Sequence, residues 1–106
     1  MAMLTLPAEL LDLPNGGSQQ FRVLKWEEGE MEIRPRQSPA GKVVTVIRMH
    51  VPPEDKPEGA PYWDATAGNL VARLRVILDD VVAGGRPIRV TKHGDPPIAR
   101  HQVDFL

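Results

Sequence analysis

The sequence predicts one mostly β domain with a single helix, its elements running strand, strand, strand, helix, strand, strand. Five short segments are rich in β-branched or alternating apolar residues, as strands are. One segment repeats apolar residues at helical spacing, and glycine and proline separate the segments. A chain of 106 residues is long enough for one modest core. We expect an N-terminal arm, residues 1–20, followed by one domain, residues 21–106.

The composition indicates a soluble globular protein and excludes several classes of site. Hydrophobic residues make up 42% and charged residues 25%, and no apolar run approaches the roughly 20 residues that span a bilayer. The absence of cysteine excludes disulfides, thiolate metal sites and cysteine nucleophiles. The N-terminus lacks the pattern of a secretory signal, so we expect a cytoplasmic protein without membrane partners. A preference for arginine over lysine and 11 prolines are typical of a thermophile-like composition.

The first two strands are predicted as a hairpin that turns through the acidic residues 27–30. Its strands are residues 21–26 and 31–34. Symmetric closure places Trp26 opposite Met31 and Leu24 opposite Ile33, so that four apolar side chains share one face. We therefore expect Trp26 in the core.

The third strand, residues 42–51, has the strongest β signal and is predicted to lie centrally in its sheet. Alternation directs Arg48 and His50 to one face, opposite Ile47, Met49 and Val51. Two prolines end the strand. A proline-rich connector follows and carries Tyr62 and Trp63 towards the helix.

The helix is predicted to begin at a cap, Asp64 or Thr66, to run to about Ala83 and to end at two glycines. Its buried stripe is expected to consist of Ala67, Leu70, Leu74, Ile77, Leu78 and Val81.

The final hairpin, residues 86–105, combines alternation with positive charge and turns through residues 94–97. Its apolar positions are predicted to face inward: Ile88, Val90, Ala99, Val103 and Phe105. Its polar positions are predicted to face water: Arg89, Thr91, His93, Arg100 and Gln102.

The segments Val90-Thr-Lys-His-Gly94 and Arg100-His-Gln-Val103, with the element order, resemble OB-fold single-stranded DNA-binding proteins of the small phage type. The resemblance implies a small, partly open five-stranded barrel with a helix between its third and fourth strands. The chain departs from that family at His101, where an aromatic residue is usual, and in its acidic first loop. An open α+β sheet covered by one helix uses the same elements and is the alternative fold.

Cationic and aromatic residues supply the candidate chemistry, because single strands are held by phosphate contacts and by bases stacked on rings. The candidate binding residues are Arg48, His50, Tyr62, Trp63, Arg86, Arg89, Lys92, His93 and Arg100. The competing interpretation of the cations is a solvated strand face that protects a sheet edge. For Trp63 it is an apolar staple against the start of the helix.

No catalytic motif is present, and we expect a binding module that is not an enzyme and needs no cofactor. The spacings of His50, His93 and His101 match no metal-ligand motif. The alternative to nucleic-acid binding is a protein-interaction or assembly module, such as a phage or mobile-element accessory protein. The separation of acidic and basic segments also allows a homo-oligomer.

Overall fold

A computed structural model describes residues 3–33, 41–95 and 99–106, with only the backbone of Ile33. The strands form two antiparallel three-stranded sheets in the orders β2-β3-β4 and β1-β5-β6, and the two do not close into one barrel. The prediction of a mostly β domain with one helix is therefore confirmed. The elements are β1 (Ser18–Phe21), β2 (Lys25–Ile33), β3 (Lys42–His50), a 3-10 turn (Pro53–Asp55), β4 (Tyr62–Ala65), α1 (Gly68–Gly84), β5 (Ile88–His93) and β6 (Arg100–Phe105).

The predicted first hairpin is wrong. Residues 27–30 do not turn; they lie in the middle of β2, which pairs along its whole length with β3. The Glu28 side chain is ion-paired with Arg75 of α1, so the acidic run is held in strand geometry by contacts remote in sequence. Trp26 is half-buried against the core and pairs with Met49, not Met31, and Leu24 is 59% exposed.

The central position of β3 is confirmed, with β2 and β4 as its neighbours. Its residues Ile47 and Met49, with Val51 beyond its end, are buried in the core as predicted. The segment with Tyr62 and Trp63 was expected to be a connector, but it forms β4. The segment Tyr62–Ala65 does not alternate apolar and polar residues, so the sequence does not distinguish this strand from a loop.

Helix α1 confirms the helical prediction except at its start. The residue before its first turn is Ala67, and no side chain caps it. Asp64 and Thr66 are therefore not caps; Asp64 lies in β4. The helix ends as predicted, because Gly85 adopts a φ of 66° and donates its N–H to Val81 O at 3.2 Å. The buried stripe is Leu70, Val71, Leu74, Ile77, Leu78 and Val81.

One apolar core lies between the two sheets and α1. The strands contribute Phe21, Ile47, Met49, Ile88 and Val90, and the helix contributes its buried stripe. Leu11 and Leu13, from the segment predicted as an appended arm, are also part of this core. The described part of the arm therefore packs into the core that the strands and the helix form.

Residues 3–13 form a strap that crosses the face of the β2-β3-β4 sheet turned away from the core and enters the core at its end, with Leu11 and Leu13. At one end the N–H of Leu4 donates to Glu30 O of β2 at 3.0 Å. At the other end the N–H of Leu11 donates to Asp64 O of β4 at 2.9 Å. We call β2-β3-β4 the strap sheet and β1-β5-β6 the hairpin sheet. Among the described residues, no helix has the length and apolar character that a membrane crossing requires.

Candidate nucleic-acid interface

The outer face of the hairpin sheet is built by alternation along three strands. Ile88 and Val90 of β5 are buried, so their neighbours along the strand turn to water. Pairing sets β1 and β6 in register with them, with Gln20 and Asp104 on either side of Arg89. The complete face consists of Ser18, Gln20, Arg89, Thr91, His93, Arg100, Gln102 and Asp104. The outward placement predicted for its five β5 and β6 hairpin residues is confirmed.

The polar groups of this face make only exposed contacts with one another. Arg89 Nη2 donates to Gln20 Oε1 at 3.4 Å, and a His93 ring nitrogen lies 3.1 Å from Gln102 Oε1. The amide of Gln102 also donates to both carboxylate oxygens of Asp104, at 2.9 and 3.0 Å. Such solvent-exposed contacts are individually weak. The cations and amides can therefore rearrange around an anion at small cost.

The remaining hairpin candidates lie beside or behind this face. Arg86 is exposed in the segment before β5. Lys92 is half-buried opposite His101, on the inner register of the sheet, and does not share a face with Arg89. The His101 ring lies 2.9 Å from Asn69 Oδ1 of α1, and burial, followed by the nearby Lys92, lowers the pKa of His101. Phe105 follows the predicted inward register, yet its side chain is 57% exposed at the end of β6.

Arg48 does not emerge into solvent as predicted, because the strap covers its face. It is only 2% exposed and forms a bidentate pair with Asp64. Nε donates to Oδ1 at 2.7 Å and Nη2 to Oδ2 at 3.1 Å. Hydrogen bonding to Asp64 is the first cause that raises the pKa of Arg48. This guanidinium is occupied and is not available to a phosphate.

The strap supplies further partners to the same ion pair. Thr5 Oγ1 accepts a hydrogen bond from Arg48 Nη1 at 3.2 Å, and the backbone N–H of Glu9 donates to Asp64 Oδ2 at 2.9 Å. A buried ion pair is tolerated only when its remaining donors and acceptors are satisfied. The strap therefore completes the pair that the strands begin.

His50 and Tyr62 are also engaged within the chain. A ring nitrogen of His50 lies 2.9 Å from Glu27 Oε2, and the His50 ring meets the Tyr62 ring edge-on at 5.7 Å. The guanidinium of Arg48 stacks over the Tyr62 ring at 4.0 Å, and the Tyr62 hydroxyl donates to the carbonyl of Pro7. A base stacking on this ring must displace Arg48 or enter from its other side.

Trp63 packs partly against the core, and Lys56 Nζ lies 4.7 Å from its ring centre. Lys56 is itself buried and ion-paired with Glu9 of the strap at 2.9 Å. The indole Nε1 is buried without a hydrogen-bond partner among the described residues. A cleft of about 210 Å³ opens beside the ring, lined by Gln19, Asp55, Lys56, Pro57, Glu58 and Trp63. Trp63 lies in β4 and is therefore not the predicted apolar staple against the start of the helix.

The structure thus divides eight of the nine predicted residues between the two sheets, and the ninth, Lys92, lies on the inner register of the hairpin sheet. Arg89, His93 and Arg100 share the open face of the hairpin sheet, and Arg86 is exposed in the segment before β5. The strap sheet holds Arg48, His50, Tyr62 and Trp63 in internal contacts. The sequence prediction missed Ser18 and Gln20, because the pairing of β1 with β5 joins residues about 70 positions apart and no local pattern signals it.

No group of three or more histidine, aspartate or glutamate side chains suited to a metal ion occurs among residues 3–33, 41–95 and 99–106. Comparison with models of known protein families, with curated proteins and with solved structures finds no match to this chain.

Proposed function

We propose that this chain is a non-catalytic module that binds single-stranded nucleic acid on the outer face of the hairpin sheet. The observation that carries the proposal is the open row of Arg89, His93 and Arg100, spaced along paired strands and flanked by two amides, two hydroxyls and the carboxylate of Asp104. The guanidinium groups serve as phosphate ligands, and Thr91 and Gln102 add neutral hydrogen bonds. Such contacts hold the backbone without reading sequence.

We propose that the two sheets form a partly open OB-type barrel, and the strand pairing supports it. Strands β1 and β2 are separated by only three residues, and each belongs to a different sheet. If residues 18–33 are counted as one bent strand, the two sheets together contain five strands. Their order is β4, β3, the bent strand, β5 and β6. The helix then falls between the third and fourth strands in sequence, as the resemblance implies.

We propose the hairpin sheet as the binding surface because the strap covers the outer face of the strap sheet. OB folds commonly bind oligonucleotides across their second and third strands, which correspond here to β3 and β4. On that face Arg48 is committed to Asp64, and Tyr62 is covered by Arg48 and bonded to Pro7. The face of the hairpin sheet has no such cover among the described residues.

Titration of a fluorescent single-stranded oligonucleotide at two or more salt concentrations tests the proposal. The variant Arg89→Glu/Arg100→Glu should bind more weakly to every sequence. Its salt dependence should also flatten, by about 0.7 in log–log slope for each phosphate that the protein no longer neutralises. Arg73→Glu is the matched control, because Arg73 is exposed on α1 and lies outside the proposed face. Equally weakened binding in both variants, or unchanged binding in the first, would reject this site.

Exposed apolar side chains on the strap favour the second candidate, a protein-interaction module. Met3, Leu6 and Leu10 are among the most exposed large hydrophobic residues, with Leu6 at 75%. A folded chain that binds no oligonucleotide at low salt would support this candidate over the first.

A further inference from the structure

Among the described residues no strand pairs with the outer edge of β6, where the backbone groups point away from β5. Lys92 directs its N–H to Gly17 O at 3.0 Å and its carbonyl to Gly16 N at 2.8 Å, towards β1. It therefore makes no backbone hydrogen bond to His101, the residue opposite it in β6. The N–H of Leu106 does donate to Pro87 O, at 3.1 Å. By alternation, His101, Val103 and Phe105 direct their N–H and C=O groups to the open edge.

Arg100 and Asp104 give this edge some charge, but other protections of natural edge strands are missing from β6. The described part of β6 contains no proline and no lysine, and β6 is the last strand of its sheet. Exposed apolar side chains, Phe105 and Leu106, lie at its end. Helix α1 reaches only its beginning, where Asn69 Nδ2 donates to Ala99 O at 3.0 Å. The edge beyond Ala99 is a template for another strand.

The charges along β6 are complementary to those of a second β6 running antiparallel. Arg100 and Asp104 lie two residues on either side of Gln102, on the same face. A two-fold axis at Gln102 places Arg100 of each copy opposite Asp104 of the other. It is the only antiparallel register that sets these opposite charges face to face.

The backbone geometry agrees with the same register. With the axis at Gln102, His101 pairs with Val103 of the second copy, and both residues direct their backbone groups to the edge. Four N–H···O=C bonds then form, and the Arg100–Asp104 pairs fall at non-hydrogen-bonded positions, where side chains approach most closely.

We propose that two copies of this chain associate through antiparallel pairing of their β6 strands about Gln102. The product is a six-stranded sheet, β1-β5-β6-β6-β5-β1, with both outer faces on the same side. The two rows of Arg89, His93 and Arg100 become one continuous surface. The inference goes beyond the proposed function and does not depend on it, because it rests on edge geometry and charge alone.

The dimer is expected to be concentration-dependent. A single pair of six-residue strands buries less surface than a standard stable interface. Sedimentation velocity from micromolar concentrations up to about 1 mM, the weak end of specific association, covers the relevant range. Throughout that range, circular dichroism of each variant should show the wild-type fold.

A charge-swap experiment tests the register. Arg100→Asp and Asp104→Arg each set like charges opposite one another in the homodimer, so each should weaken self-association about tenfold. Mixed together, the two variants restore both opposite-charge pairs and should form a heterodimer with an affinity near that of the wild type. The double variant Arg100→Asp/Asp104→Arg should self-associate like the wild type. Arg73→Glu on α1 is the control and should not change self-association.

Two outcomes would overturn the inference. One is a wild-type chain that stays monomeric up to about 1 mM. The other is a dimer whose affinity does not respond to the single variants, or whose weakening is not repaired by mixing them. Oligonucleotide binding by a monomer would leave the proposed function standing while this inference fails.

Discussion

The outer faces of the two sheets have the same alternating pattern in the sequence, but they differ in the structure. Both follow from strands that alternate an apolar core side with a polar side. On the strap sheet, the polar side contains the buried pair Arg48–Asp64 beneath residues 3–13. On the hairpin sheet, Arg89 and Arg100 remain exposed. Alternation therefore identifies the side that faces away from the core, and it does not reveal whether another segment covers that side.

Arg48 beneath the strap and the exposed arginines of the hairpin sheet therefore have different roles. A guanidinium under cover needs a carboxylate partner and contributes to stability, whereas an open guanidinium contributes mainly to the electrostatic field that a ligand meets. The two roles can be separated by measuring stability and binding on the same variants.

The largest expected effect is the loss of the buried ion pair. Arg48→Ala leaves Asp64 buried without its charge partner and should lower the free energy of unfolding by about 3–5 kcal/mol. Arg89→Ala, on the open face, should change it by no more than about 0.5 kcal/mol. Urea unfolding monitored by tryptophan fluorescence measures both.

The double variant Arg48→Met/Asp64→Leu serves as the control. It removes both charges together and should recover much of the stability that Arg48→Ala removes, because no buried charge is left unpaired. If Arg48→Ala lowered the free energy of unfolding as little as Arg89→Ala, the strap would not bury Arg48 more than water-exposed Arg89 is buried.

The second prediction concerns the first half of the strap. Removing residues 1–7 deletes the Thr5 hydroxyl that Arg48 contacts and the Pro7 carbonyl that Tyr62 contacts, but retains Leu11 and Leu13 in the core. We expect a loss of about 1–3 kcal/mol in the free energy of unfolding.

The same truncation separates the two candidate surfaces. If nucleic acid binds the hairpin sheet, the truncated chain should bind an oligonucleotide as the full chain does. A clear gain in affinity on truncation would show that the strap sheet is a binding face that the strap blocks.

Elements in which the apolar pattern repeats several times were predictable from the sequence. Contacts between residues remote in sequence were not. The stripe of α1 and the strand at residues 42–50 carry enough repeats to define their faces, and both are confirmed. Gly29 lies in an acidic run that resembles a turn, yet it pairs with Val46 in mid-strand. The apolar residues of the strap do not reveal its path, because its backbone partners, Glu30 and Asp64, are remote in sequence. The sequence also predicts a loop at residues 35–42, which falls mostly outside the described residues, as do residues 96 and 97 of the final turn.

The third prediction compares the two tryptophans, both partly buried against the core from the strap sheet. Trp26 Nε1 donates to Asp79 Oδ1 at 3.0 Å, whereas Trp63 Nε1 is buried without a partner among the described residues. Trp26→Phe should therefore cost about 0.5–1.5 kcal/mol more than Trp63→Phe, since only the former removes a hydrogen bond. Thermal and urea unfolding of the two variants will show which substitution costs more stability. Equal costs would mean that packing alone fixes both rings.

The smallest expected effect concerns the junction between the two sheets, where Arg22 follows β1 and precedes β2. Asp55 Oδ2 accepts from both the backbone N–H and Nε of Arg22 at 3.0 Å, and Oδ1 accepts from Nη2 at 3.2 Å. The Arg22 side chain, then its backbone N–H, lowers the pKa of Asp55. A carboxyl whose pKa is lower in the folded chain contributes stability above its unfolded value of about 3.9.

That contribution disappears as the pH falls through the lower, folded pKa of Asp55, because the protonated carboxyl no longer favours the folded state. The free energy of unfolding should therefore decline between about pH 5 and pH 2, and part of the decline should vanish in Asp55→Asn. Arg22→Gln should remove the same part, and combining the two substitutions should remove no more than either alone. Additive effects in that double-mutant cycle would mean that Arg22 and Asp55 act independently. In that case the contact between Arg22 and Asp55 would not stabilise the junction between the strap sheet and the hairpin sheet.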